Sequence, residues 1–168
     1  EDQIVRSDLV VISGERNDDS FEIITKALAQ LGEIRVVDLD LTNSGHFNFG
    51  SIGPDRIPVI TLPGDPIAAY IAMQLFVRPM IRTMLGTANI HRPSVKAKLE
   101  KALTSSGGMR SYVRAVLSAD GKSVAPLSSQ DEQATLSDAN CFIAVPEGET
   151  HLAAGKEVTV VVLERRYL

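Results

Sequence analysis

Val59-Ile60-Thr61-Leu62 runs straight into Pro63-Gly64-Asp65-Pro66, and from Ile67 to Leu85 the residues are almost wholly helix formers. An unbroken apolar and β-branched run of this kind reads as a strand buried within a sheet. Asp65 suits the N-cap and Pro66 the first helical position, because the first turn has no use for the N–H that proline lacks. The stretch therefore reads strand, tight loop, helix, with Gly86 placed to end it. Pro79 falls inside this helix, where its ring meets the carbonyl of Leu75, so a kink or restart is predicted there.

The same order of signals occurs upstream. Leu9–Ile12 is a continuous apolar run, expected as a strand covered on both faces, and Ser13–Gly14 ends it. A polar loop follows through Asp19. Phe21, Ile24, Leu28 and Leu31 then recur at helical spacing, with Gly32 as the stop. With Asp19 as N-cap, Glu22 stands where a capping box wants a carboxylate. Ile34–Leu39 is the next strand, so this is a βαβ unit with an expected right-handed crossover. Asp40–Gly53 reads as a loop broken by Asn43, Ser44 and Gly45, with room for a short strand at Phe47–Phe49.

The composition shifts near Thr87–Pro93, which divides the chain into units of residues 1–90 and 91–168. The second unit looks all-β. Tyr112–Ser118, Ser123–Pro126, Cys141–Val145 and Val158–Leu163 read as strands, and Asp120–Gly121 is a hairpin turn signal. Val95, Ala97 and Leu99 alternate with Lys96 and Lys98, a pattern that suits a strand, although Val95, Leu99 and Ala102 fit a short helix equally. A small barrel or sandwich is the economical solution.

Seventeen Lys and Arg face 21 Asp and Glu, a formal charge of −4, so nothing here has the basic footprint of a nucleic-acid partner. One Cys rules out a disulfide framework and a Cys-based zinc site. No apolar run is long enough to span a membrane, and the acidic N-terminus is no signal peptide. These features point to a soluble, cytoplasmic α/β protein.

Two loops are placed for chemistry: Ser13–Gly14 onward, and Pro63–Gly64–Asp65–Pro66. Each follows the carboxyl end of a strand and opens a helix, which is where ligands sit in open α/β sheets and where free N–H groups attract anions. The same residues also serve ordinary turns and caps. Asp18 and Asp19, beside Glu15 and Glu22, are candidate ligands for a divalent cation such as Mg²⁺, or else a solvated loop and helix start. Arg78 and Arg82 complement the C-terminal end of a helix. Arg114 falls on the same strand face as Tyr112 and Val116, and a charge on such a face wants a partner: a carboxylate, a ligand or another subunit. Cys141 is most simply a buried small hydrophobe.

Leu62–Pro63–Gly64–Asp65–Pro66 with Gln74–Leu75–Phe76–Val77–Arg78–Pro79 resembles the molybdopterin molybdenumtransferases, the MoeA and gephyrin E-domain family, whose pattern is LPGNPxSA…FxxFVRP. Ser7–Gly14 is similar to that family's ADLVITSGG, and the tail from Arg92–Pro93 through Ala139–Ile143 to Gly155–Val158 to its C-terminal β-domain. The resemblance implies that residues 1–90 are the latter part of a three-layer molybdopterin-binding α/β domain, incomplete at its N-terminus, and that residues 91–168 are a small β-barrel. It implies a piece of a longer homodimeric protein, with the active site completed by the mate's N-terminal domains. Its reaction would be insertion of molybdate into adenylylated molybdopterin, helped by Mg²⁺. Ser13, Gly14, Pro63, Gly64, Asp65, Pro66 and Arg114 would then bind the pterin phosphate, and Asp18 and Asp19 the metal. By itself the piece is expected to be inactive.

The ligand loops depart from the family. Its GGVSVGDYD loop stands here as Gly14–Glu22, with Ser20 at the family's Asp position. Its KPGKP loop aligns with Thr42–Asn43–Ser44–Gly45–His46, without either lysine, and its QGSG with Gln130–Asp131–Glu132–Gln133. All these changes disfavour a polyanion, since a charge-assisted contact carries about 1.5–3 kcal/mol. An alternative expectation is therefore a gephyrin-like scaffold that binds protein or receptor peptides through a dimeric fold.

Overall fold

In a computed structural model of the protein, residues 6–14, 18–38, 46–127 and 138–163 are described. The chain divides into two compact units at Ile90–His91.

The first unit holds β1 (Val10–Ser13), α1 (Asp18–Ala29), β2 (Gly32–Asp38), β3 (His46–Ile52) and β4 (Ile57–Leu62). Its helical remainder is α2 (Pro66–Ala72), a π-helical turn (Met73–Val77) and α3 (Arg78–Met84). The sheet order is β1-β4-β3-β2, with β1 parallel to β4 and β3 antiparallel to both of its neighbours. β1 and β2 thus run the same way, as a βαβ path requires, but β4 and β3 stand between them. The cause is β3. Its segment is rich in turn formers, yet it pairs with β2 from His46↔Asp38 to Ile52↔Gly32. Gly50 serves this close pairing, because a Cβ there would fall on the carbonyl oxygen of Glu33.

Strand residues alternate between the two faces of the sheet. On one face Leu28 of α1 packs with Ile52 and Val59, surrounded by Val10, Ile12, Ile24, Ile34 and Ile57. On the other Phe47 is buried and meets the ring of Phe76 edge-on, centroids 5.5 Å apart. Helices thus lie on both faces, giving three layers. β1, however, is covered on one face only: Val11 is 41% exposed, because β1 is an edge of the described sheet.

Two helix boundaries also differ from the sequence reading. α1 begins at Asp18, so Asp19 lies inside it and is not its N-cap; Glu22 instead pairs with Lys26 one turn on, at 3.0 Å. It ends at Ala29, and Gly32 opens β2 rather than closing the helix. Pro79 falls in the first turn of α3, which restarts the α-helix after the π turn without a loss of helical dihedrals. The π turn absorbs it: the Arg78 N–H bonds back five residues to Met73, and Val77 and Arg78 keep right-handed helical angles. Gly86 ends α3 at φ 66°, its N–H on the carbonyl of Thr83. Arg78 and Arg82 do more than face a dipole. They donate to the carbonyls of Ile90 (2.8 Å) and Asn89 (2.6 Å), tying the departing chain back to the helix.

The second unit is a closed barrel in the order β11-β5-β8-β7-β9, formed by β5 (Ser94–Leu99), β7 (Ser111–Leu117), β8 (Ser123–Pro126), β9 (Cys141–Val145) and β11 (Glu157–Val162). Two-residue strands β6 (Leu103–Thr104) and β10 (His151–Leu152) form a separate ribbon. The barrel, not the sandwich, is the observed solution, and Ser94–Leu99 is strand rather than helix. Ala97, Leu99, Ala115, Leu117, Val124, Cys141, Ile143, Val145, Val158, Val160 and Val162 fill the interior. Each such side chain contributes about 1.5–3 kcal/mol on leaving water, least for the alanines. At the β7–β8 hairpin, Asp120 accepts from the Ser118 hydroxyl and the Lys122 N–H, which hold its carboxyl below the usual range, and Gly121 supplies φ 71°.

Cys141 is fully buried, its thiol donating to the carbonyl of Ala115 at 3.3 Å, and burial pushes it up from 9.0 to about 12. The native state therefore keeps the proton where the unfolded chain gives it up. Stability is present in full below pH 9 and falls as pH rises from there toward 12. Chemical denaturation across that window should show the fall, and Cys141→Ala should flatten it. A wild-type profile no steeper than the variant's would contradict this.

No helix among the described residues is long and apolar enough to cross a membrane.

Candidate functional site

β1 and β4 lie side by side and point the same way, with Ser13 opposite Leu62. Their carboxyl ends therefore deliver the Ser13–Gly14 turn and the Pro63–Pro66 loop to one edge of the sheet. The Gly14 N–H reaches the carbonyl of Leu62 at 3.4 Å, which carries the pairing one step past the strands. A Cβ on Gly14 would stand 3.2 Å from Cδ1 of Ile24, so α1 passes close behind this turn.

Asp65 is the N-cap of α2. Its backbone is extended (φ −69°, ψ 124°), its Oδ1 accepts the Ala68 N–H at 2.8 Å, and its carbonyl takes that of Ala69. Ser13, Gly64 and Pro66 are exposed, and Gly14, Pro63 and Asp65 half-buried. The edge is thus an open, Gly- and Pro-shaped notch beside a helix start, bearing the carboxylate of Asp65. Asp65→Ala should cost about 1 kcal/mol in thermal or urea unfolding, whereas Asp65→Asn, an equally good cap, should be nearly neutral. Equal losses from both would mean that charge, not capping, is what Asp65 contributes.

Six of the sequence candidates (Ser13, Gly14, Pro63, Gly64, Asp65 and Pro66) thus come together. Arg114 lies in the other unit, on β7. It is 7% exposed and directly opposite Phe142, and Tyr112 and Val116 share its side of the strand. That side is the outer wall of the barrel, since Val113, Ala115 and Leu117 turn inward. Asp18 and Asp19 open α1, but their side chains lie outside the described residues, as do Thr42–Gly45 and Gln130–Gln133. Among the described residues no three His, Cys, Asp or Glu side chains come together to hold a metal ion.

Behind the notch stands a polar group that the sequence reading missed: buried Asn48 and Thr61, with half-buried Thr25. No local signal marks it: Asn48 lies in the short strand allowed at Phe47–Phe49, but its partners are distant in sequence.

The model of the MoeA C-terminal region (domain IV) matches residues 96–163. Molybdopterin molybdenumtransferase 1 of Mycobacterium tuberculosis is 33% identical over 172 residues, 97% of this chain and 40% of the relative. Homology to the C-terminal region of MoeA thus covers most of the chain. Molybdopterin molybdenumtransferase 2 of the same organism is 28% identical over 93% of the chain. The MoeA likeness extends to solved structures. A molybdopterin biosynthesis MoeA protein from Pyrococcus horikosii superposes with a TM-score of 0.79 at 25% identity, covering 97% of this chain and 39% of that one. A molybdenum cofactor biosynthesis protein from Pyrococcus furiosus shares the fold, with a TM-score of 0.68 at 22% identity over 94% of this chain and 49% of that one. The mixed α/β sheet followed by a five-stranded barrel corresponds to MoeA domains III and IV. The chain spans about 40% of the length of the M. tuberculosis relatives.

Proposed function

We propose that this chain supplies the pterin-phosphate-binding edge of a molybdenumtransferase-like protein that inserts molybdate into adenylylated molybdopterin. One observation carries the reading: adjacent parallel strands bring the Ser13–Gly14 turn and the capped Pro63–Pro66 loop to one sheet edge. Glycine and proline keep side chains out of the way there, so a phosphate can approach backbone N–H groups near a helix start. Arg114, carried on the barrel, belongs to the same reading by resemblance and would meet an anion with its planar fork of donors. Molybdate and the pterin are substrates here, and no step is assigned to a metal.

Asp65 works against anion binding while holding the helix, and that conflict makes a sharp test. The full-length protein is titrated calorimetrically with adenylylated molybdopterin, with and without molybdate and Mg²⁺. Binding near micromolar is expected, lost on Gly64→Leu or Arg114→Ala. Asp65→Asn keeps the cap and removes a negative charge, so it should tighten binding by up to roughly fivefold, about 1 kcal/mol. A folded protein with no detectable affinity overturns the proposal. The loss of both lysines of the KPGKP loop favours a second reading, a homodimeric scaffold for peptides, and such a result would turn the search to protein partners.

A further inference from the structure

Asn48 is fully buried near the start of β3, and its backbone N–H and its side chain bond to different elements. Its backbone N–H, which should bond a carbonyl of β4, instead donates to the Thr61 hydroxyl at 2.7 Å. The β3–β4 ladder stops at Phe49↔Ile60. A side chain thus replaces the next rung, while the last two residues of β4, Thr61 and Leu62, stay paired with β1 on their other side and lead into Pro63. The side-chain amide of Asn48 donates to the Thr25 hydroxyl at 2.8 Å, and Thr25 donates in turn to the carbonyl of Phe21 at 2.7 Å. Phe21 is in the first turns of α1, just after the Ser13–Gly14 turn. One chain of bonds, buried at Asn48 and Thr61 and half-buried at Thr25, therefore runs from the start of α1 to the end of β4.

We infer that Asn48 is a positioning residue that ties the two loops of the notch together, so that neither moves without the other. The functional half of this inference rests on the binding reading above; the mechanical half does not. Polar groups buried at this depth cost stability when left unpaired, and a shared partner makes their losses non-additive.

The test is amide hydrogen exchange on the full chain without ligand. The reporters are the Gly14 N–H on Leu62 and the Ala68 N–H on Asp65, one in each loop. Thr25→Val keeps the shape and removes the hydroxyl; Thr25→Ser keeps the hydroxyl and loses a methyl. Thr25→Val is expected to speed exchange at both reporters by roughly tenfold or more, although Thr25 touches neither, and Thr25→Ser to restore protection. The Thr25→Val/Thr61→Val double variant should exchange at least about threefold slower than the product of the single effects predicts. Faster exchange at Gly14 alone, additive single effects, or better rescue by Val than by Ser would each overturn the inference. Should Thr25→Val fail to fold, Thr61→Val read at the amides of α1 carries the same test. In calorimetry with adenylylated molybdopterin, Thr25→Val should weaken binding roughly tenfold and Thr25→Ser regain it. If the wild-type protein does not bind, the binding reading falls while the exchange result still decides whether the loops are coupled.

Discussion

A Gly50→Ala chain is expected to lose the cooperative unfolding of its α/β unit, with a destabilisation beyond the ~1–3 kcal/mol usual for overpacking. The added Cβ would land on the carbonyl oxygen and carbon of Glu33 and on the Cα of Ile34, all of them backbone. A flexible side chain can swing aside, but a paired strand cannot. β2 and β3 are in register over seven residues, and moving Glu33 and Ile34 away breaks the second and third pairs of that ladder. Gly148→Ala is the matched control, since nothing lies within 4 Å of a Cβ there. Thermal melts followed by circular dichroism should show Gly148→Ala within about 0.5 kcal/mol of the parent. A Gly50→Ala protein that melts like that control would show that the β2–β3 register is wrong.

Phe142→Ala is expected to cost about 3–5 kcal/mol, as for other fully buried aromatic truncations. Its position makes this informative. Cys141 and Ile143 point into the barrel, so Phe142 is on the outer wall, where alternation alone would place it in solvent. Yet its exposure is 0%, and Arg114, its partner across the β7–β9 ladder, is also buried. This part of the wall is covered, and the ring fills space that alanine would leave empty. Phe49, 46% exposed on β3, is the contrast: its truncation should cost about 1 kcal/mol or less. Urea titrations of the two variants check the pair. Equal small losses would mean that Phe142 faces water.

What could be read from residue order was whatever local chemistry settles by itself. Asp65 and Pro66 carry their own capping logic, Asp120–Gly121 its own turn, and Ser94–Leu99 its own alternation, although a helical reading competed there. The strand order was not legible, because it depends on β3, a segment that read as loop with room only for a short strand at Phe47–Phe49, and nothing local places it between β2 and β4. Gly50 is a breaker by propensity and a requirement by packing. Only the neighbouring strand, far away in sequence, tells the two apart. Arg114 was placed on the correct side of its strand, but its burial was not visible, since what covers an outer wall is not encoded in that strand. The notch came out because both loops follow the ends of parallel strands. The Asn48 chain of bonds did not, because its members are separated by 23 and 13 positions and none belongs to a motif.

The π turn at Met73–Val77 also constrains how this helix can change length. A π turn holds one residue more than the α-helical path needs, and each residue turns the helix by about 100°. Deleting one residue there would leave an unbroken α-helix, but it would rotate everything after it and bring the Pro79 ring against a carbonyl. The guanidinium groups of Arg78 and Arg82 would swing away from Ile90 and Asn89 at the same time. Such a deletion is therefore tolerable only alongside replacement of the proline and re-anchoring of the outgoing chain, so the extra residue, the proline and the two arginines should be gained or lost together over generations.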